Sequence, residues 1–339
     1  MKTDKILLGH GSGGRVMREL IEELFLPALK GECACLGSDD SAVLSLAEFS
    51  GGRLALTTDT YVVSPVFFPG GNIGDLAVNG TVNDLSMAGA RPLYLTAGFV
   101  VEEGFPVADL AKILDSMKKA ADRADVMIVA GDTKVVEHGK ADGIFINTAG
   151  AGMVPAGLDI TARGLKPGDV LIVSGTIGDH GMAVLSKREG LDFESDIKSD
   201  SAPLNGLVAD MIAAGDINAL RDPTRGGLAS TLVEFASESG VGIVIDESSL
   251  PVREPVRGAC EILGLDPLYV ANEGKLVASV PRAAAKTVLA AMRKNAVGRE
   301  STIIGEVMAE PAGKVLMKTL IGGTRLVDML SGEQLPRIC

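Results

Sequence analysis

Apolar positions recur along the chain with two periods, and their alternation predicts a mixed α/β fold. Short apolar runs bounded by turn residues read as buried strands at 54–58, 93–101, 126–130, 144–150, 170–175, 241–245 and 276–280. Between them, apolar residues spaced by three and four predict helices over 16–25, 73–88, 107–125, 204–214, 255–263 and 283–294, with another from Met182. Thr319 to Val327 reads as two strands around a Gly322-Gly323 turn, so the folded body is expected to stop near Leu330. Residues 331–339 then form a tail that reaches roughly 30 Å if extended, at about 3.3–3.6 Å per residue. Pro336 favours an extended Leu335. The tail ends in Cys339, a thiol carrying the chain's carboxylate. On its own such an end reads as a frayed terminus.

Length divides this pattern in two. At 339 residues the chain is long for one core. The turn-rich stretch after Pro155, including Arg163-Gly164-Leu165-Lys166-Pro167-Gly168-Asp169, sets the expected boundary. The domains are expected at 1–154 and 155–330, with a flexible tail at 331–339. A net charge of −12 excludes broad binding to nucleic acid or to an anionic membrane, since both need a cationic face. No apolar run approaches the roughly 20 residues of a membrane span, and the first ten residues lack the apolar core of a signal peptide. A cytoplasmic protein is expected. Cys33, Cys35, Cys260 and Cys339 show neither finger spacing nor a disulfide framework, which suits a reducing compartment.

Candidate chemistry is acidic. His10-Gly11-Ser12-Gly13-Gly14-Arg15 is a glycine-rich turn before a helix, but it matches neither phosphate-binding fingerprint. In the helix over 73–88, Asp75, Asn79 and Asn83 fall at i, i+4 and i+8 and share one stripe, with Asp84 beside it. Asn and Asp are poor helix formers, so a ligand-facing stripe is expected. Asp59, Asp84 and Asp132 sit at or near predicted element ends. Recurrent carboxylates there suit magnesium, which takes a few acidic side chains and otherwise water and substrate phosphates. Each one alone reads as a turn or cap residue. His180, beside glycines at a helix start, suits an acid–base role but reads first as structural, and Asp222 precedes the Gly226-Gly227 start of another helix.

Taken in order, Asp39-Asp40-Ser41-Ala42, Thr57-Thr58-Asp59, the stretch from Val82-Asn83-Asp84 to Arg91-Pro92, Gly131-Asp132-Thr133 and Asp222-Pro223-Thr224-Arg225-Gly226-Gly227 resemble the signature series of the PurM-like ATP-dependent enzymes, the aminoimidazole ribonucleotide synthetase superfamily. Through His10-Gly11-Ser12-Gly13-Gly14, Gly131 to Val136, Asn272-Glu273-Gly274 and the terminal Pro336-Arg337-Ile338-Cys339 the chain is similar to its hydrogenase-maturation branch. The resemblance implies a two-domain PurM-like α/β fold, N-terminal domains paired in a homodimer, and ATP bound near that interface with magnesium. It implies that a HypF-like carbamoyltransferase loads a carboxamide onto Cys339. Dehydration at the expense of ATP then yields a thiocyanate, whose cyano group passes to iron on a HypC–HypD-like scaffold for a [NiFe] hydrogenase. It assigns magnesium and phosphate to Asp39, Asp59, Asp84, Asp132 and Asp222. Thr133 joins the nucleotide residues, and Asn83 orients the carboxylates. Lys134 is expected to stabilise developing charge, and Glu273 to take the amide proton. Two rivals remain: small-molecule phosphorylation on the same fold, and a non-catalytic carrier presenting Cys339. The selenophosphate branch expects a reactive cysteine in the glycine-rich segment, and residues 10–15 have none. The carrier has no use for the acidic series.

Overall fold

A computed structural model describes residues 4–11, 19–29, 51–190, 197–329, 335 and 337–339. Asp39, Cys33, Cys35, the start of the first expected helix and Pro336 lie outside the described residues.

The first half builds a four-stranded sheet from β1 (Arg53–Tyr61), β2 (Arg91–Glu102), β3 (Met127–Val136) and β4 (Ile144–Val154), in the order β1-β4-β2-β3. Helices α1 (Ile73–Met87) and α2 (Val107–Ala124) cover one face. Alternate β4 residues, from Ile144 and Ile146 to Val154, are buried, as period-two side-chain geometry requires. Among the described residues the opposite face is uncovered and leaves Leu54, Leu56 and Val100 exposed. β3 runs past the predicted Ala130 to Val136, pairing in parallel with β2. Asp132, expected at an element end, therefore sits inside a strand.

The second half contains β5 (Val170–Val173), α3 (Asp179–Arg188), α4 (Asn205–Ala214), β6 (Ala219–Arg221), α5 (Gly227–Ser239), β7 (Gly242–Asp246), α6 (Glu254–Leu263), β8 (Val277–Val280), α7 (Ala285–Lys294), β9 (Thr302–Met308), β10 (Val315–Lys318) and β11 (Thr324–Val327). Its seven-stranded sheet has the order β11-β10-β7-β9-β5-β8-β6. Leu171 and Val173 of β5 pack with α5 residues Leu228, Leu232 and Phe235. Val170 and Ile172 pack on the other side with α4 and α7 residues such as Leu207 and Val288. Cover on both faces is why β5 reads as an unbroken apolar run. β9 escaped the sequence reading because Gly305 interrupts its apolar run. A Cβ there would lie 2.2 Å from the Val244 carbonyl, so the close approach of β9 to β7 admits only glycine.

The two halves meet along α1. Asn72 and Asp75 form a capping box at its start: Asn72 accepts from Gly74 N at 2.8 Å, and Asp75 accepts from Asn72 N at 2.7 Å. Asn79 donates to Ser201 Oγ at 2.9 Å. Asn83 donates to the carbonyls of Ala202 at 3.1 Å and Glu273 at 2.9 Å, and accepts from Leu204 N at 2.8 Å. The polar stripe on α1 thus faces the second half of the chain. The Asn83 amide satisfies irregular backbone that would otherwise be buried without partners, and the Asn79 amide meets a serine hydroxyl. The sequence reading expected this stripe to face a ligand, and in the structure its amides also bind the second half of the chain.

Tyr61 packs its ring end-on against α1, and a Cβ on Gly80 would stand 2.1 Å from its hydroxyl. That hydroxyl is buried with no well-aligned hydrogen-bond partner, the nearby Thr81 hydroxyl offering at most a poorly aligned one. Gly80→Ala should therefore overpack this contact and cost about 1–3 kcal/mol. Tyr61→Phe, which removes an unpartnered buried hydroxyl, should be neutral or stabilising. Urea unfolding of the single and double variants checks this: the double variant should recover part of the Gly80→Ala loss, and strict additivity would sink the argument.

Candidate active site

On β1, Thr57, Asp59 and Tyr61 share the face that meets α1. The Thr57 hydroxyl donates to Asp84 Oδ2 at 2.9 Å, fixing this carboxylate near the end of α1. Asp222 follows β6 and enters the same region. A cleft of about 450 Å³ is lined by Thr57, Asp84, Arg221, Asp222 and Thr224, with Ile160 on its apolar side. Burial pushes the Asp222 carboxyl up to about 7, helped by the Asp84 and Asp59 charges. Burial also raises Asp84, against the pull of the Thr57 hydrogen bond, and Asp59 adds to the rise. Such crowding disfavours the charged forms until a cation shares the site.

Glu273 completes the group. It is 3% exposed, and its Oε1 has no partner. Burial drives its pKa well above the usual range, with repulsion from Asp222, Asp200, Asp59 and Asp84 adding to it. Its backbone is strapped from two sides. Its carbonyl accepts from Asn83, and its N–H donates to Asp200 Oδ1 at 3.1 Å. Asp200 in turn pairs with Lys275 at 3.1 Å. The flanking residues explain themselves in the same terms. Asn272 accepts from Gly178 N at 2.7 Å and donates to the Pro223 carbonyl at 2.9 Å, tying three loops together. A Cβ on Gly274 would lie 1.8 Å from the Asp200 carbonyl.

The tail enters this site. Val62 N donates to the Cys339 carbonyl at 3.1 Å, Ile338 is 2% exposed within the first core, and the Cys339 thiol is half-buried. Burial pushes that thiol up to about 12, and the Glu273 charge adds to the effect. Arg225 acts in the opposite direction.

The expected site residues therefore separate. Asp59, Asp84, Asp222, Glu273 and Cys339 come together. Asp132, Thr133 and Lys134 do not join them within one chain. In the lateral row Asp59–Thr148–Ala97–Gly131 the side chains point one way, so Asp132 points to the opposite, uncovered face. It also stands three strands away, about 14 Å at 4.7–4.9 Å per strand. There Asp132 pairs with Lys134 at 2.8 Å, which holds its pKa down. Thr133 is buried. Asn83, assigned to the nucleotide, has its amide engaged by the chain and acts by holding Glu273. Among the described residues no three carboxylates converge closely enough to form a ready metal cluster. Sequence reasoning missed Tyr61, Asp200, Arg225 and Lys275. His180, singled out in the sequence and read first as structural, places its Nε2 2.8 Å from the Ile338 carbonyl.

Comparison with known proteins gives this geometry a family. The models for AIR synthase related proteins match at residues 38–154 for the N-terminal domain and 166–318 for the C-terminal domain. Carbamoyl dehydratase HypE of Azotobacter vinelandii is 57% identical over 340 residues, covering 100% of this chain and 98% of its own length. A crystal structure of hydrogenase maturation protein HypE in complex with ATP superposes with a TM-score of 0.93 at 49% identity, covering 98% of this chain and 99% of that one. A chain in a HypE–HypF complex does so with a TM-score of 0.80 at 52% identity, over 92% and 99%. The fold and site define a two-domain AIR-synthase-related protein, and the chain belongs to the HypE family within that group.

The raised Asp222 carboxyl gives a pH test. A group raised in the folded state favours folding while protonated. That contribution is present at low pH and is lost as pH rises between about 4 and about 7. Asp222→Asn should then raise Tm by a few degrees at pH 8 without nucleotide, on the order of 1–2 kcal/mol, and give no gain near pH 4. The same change should weaken ATP binding. Thermal melts at the two pH values, with and without ATP, measure both effects.

Proposed function

We propose that this chain dehydrates a carboxamide carried on its own Cys339 to a thiocyanate, consuming ATP, and so supplies cyanide for assembly of a [NiFe] hydrogenase iron centre. The observation that carries the reading is the seat of Cys339: its thiol is half-buried beside Glu273 and Asp59, at the edge of the carboxylate cleft. An amide oxygen is a poor leaving group. Its transfer to phosphorus makes it a good one, and phosphoryl transfer needs chiefly positioning and charge neutralisation. Both N–H protons are lost, the C–O bond breaks, the oxygen leaves in phosphate, and C≡N remains on sulfur. Glu273, with an unpartnered Oε1 and a raised pKa, is suited to take a proton from the amide nitrogen.

Asp59, Asp84 and Asp222 would hold magnesium, which supplies charge neutralisation on the phosphates. Burial, with neighbouring like charge added to it, raises Asp84 and Asp222, and a divalent cation would offset both effects. Asp39 belongs to the same assignment. The uncovered face of the first sheet, with Leu54, Leu56 and Val100 exposed, suits pairing with a second copy in a homodimer. That pairing would carry Asp132 and Lys134 towards the neighbouring subunit's nucleotide and explain their separation from Asp59 in one chain. The partners of the proposed cycle are a HypF-like carbamoyltransferase and a HypC–HypD-like scaffold. In this reading residues 1–154 and 155–330 are the two domains, and 331–339 is the tail that moves between sites in the cytoplasm. No helix among the described residues is long and apolar enough to cross a membrane.

Carbamoylated protein given magnesium and ATP alone should lose the mass of one water from its C-terminal peptide. Glu273→Gln should slow that loss by about 100-fold or more, the range of a lost general base, while keeping ATP affinity. Cys339→Ala should leave ATP binding intact. A mass change that needs a second enzyme would leave this protein a carrier.

A further inference from the structure

The tail is gripped by its backbone. Three consecutive carbonyls are taken: that of Arg337 accepts from Ser64 N at 3.2 Å and from Arg188 at 2.6 Å, that of Ile338 lies 2.8 Å from His180 Nε2, and that of Cys339 accepts from Val62 N at 3.1 Å. Val62 and Ser64 continue from β1. His180 and Arg188 stand at the two ends of α3, in the other half of the chain. Among the described residues, His180 is the side chain that hydrogen-bonds the residue next to the reacting cysteine. A carbonyl can only accept, so the ring proton sits on Nε2, and Nδ1 accepts from the Ser199 hydroxyl at 2.8 Å. The Phe68 ring meets the imidazole edge-on at 5.4 Å between centroids and fixes its plane. Burial holds the imidazole neutral against the pull of Asp200. Asp200, the residue after Ser199, is the one that holds the Glu273 N–H.

We infer that His180 is a positioning residue for the dehydration: its Nε2–H bond to the Ile338 carbonyl sets the register of the docked tail and so places Cys339 beside Glu273. The inference rests on the dehydratase reading but adds a residue that this reading does not need. The recognised feature is a main-chain carbonyl, so the bond counts residues from the chain end and does not read a side chain. When the tail leaves, a buried donor is stranded. Loss of that partner favours return of the tail.

The test compares His180→Leu, which removes the donor, with His180→Gln, whose amide nitrogen can stand where Nε2 does. In protein without nucleotide, iodoacetamide should alkylate Cys339 about tenfold faster in the leucine variant, the factor that corresponds to roughly 1.4 kcal/mol of lost docking. The glutamine variant should stay near the parent. Single-turnover dehydration of carbamoylated protein should fall by a similar factor in the leucine variant, with half-saturation by ATP unchanged. Equal alkylation and turnover in all three proteins would overturn the assignment, and so would a folded glutamine variant as defective as leucine. Should the leucine variant not fold, imidazole nitrogen NMR decides. A chain ending at residue 336 must show changed His180 ring signals, and an unchanged spectrum overturns the proposal. Alkylation and NMR need no ATP, so a tail that docks through His180 yet never loses water would sink the dehydratase reading and spare this one.

Discussion

Burial of several carboxylates around one cleft is the constraint on which the rest of the structure depends. Burial raises the proton affinity of Asp84, Asp222 and Glu273, and neighbouring carboxylates add to each rise, so ionising this cleft without a counter-charge costs stability. Stability has to come from elsewhere. Much of the surrounding order can be understood as that compensation: the capping box on α1, the amide contacts of Asn79 and Asn83, and the Asp200–Lys275 pair under the Glu273 loop. Local strain of this kind at a functional cleft is offset by consistent packing around it.

The polar seam on α1 therefore has a different meaning from the one its pattern suggests. Asn and Asp on a helix face advertise chemistry because they weaken a helix, but a rigid contact between two halves rich in irregular backbone needs them just as much. Asn83 shows why the two roles are confused. Its amide grips the carbonyl of Glu273 while accepting from Leu204. Removing it would disturb both the contact between the halves and the catalytic loop.

What the sequence revealed follows from which signals are local. Strands covered on both faces, such as β5, announce themselves as apolar runs, and the acidic motifs stand out by composition. β9 did not, since Gly305 satisfies a backbone approach that only the folded sheet displays. The strand β3 was cut short at Gly131 for the same reason, which left Asp132 at an apparent end. Whether two aspartates face each other depends on strand parity and sheet order, and neither can be read from spacing. Asp59 and Asp132 look alike in one dimension and lie on opposite faces of one sheet. His180 was legible only as a histidine among glycines. Its partner is a carbonyl 158 residues away, and a carbonyl leaves no trace in composition.

The docked thiol explains why the tail cannot simply stay in the site. Thiolate is the nucleophilic form, and an ordinary cysteine titrates near 8.5. In the site, burial and the Glu273 charge push Cys339 up to about 12, so thiolate is scarcer there by about three orders of magnitude at neutral pH. A group raised on docking contributes fully below about 8.5 and loses that contribution as pH climbs towards about 12, so near neutrality the unloaded tail is held as an inert thiol. Acquiring a carboxamide demands the reverse, a thiolate in water. Burial in the docked position, with the neighbouring carboxylates adding to it, thus disfavours the thiolate that loading needs. The environment that holds the docked cysteine as a thiol is therefore the opposite of the one in which it is nucleophilic.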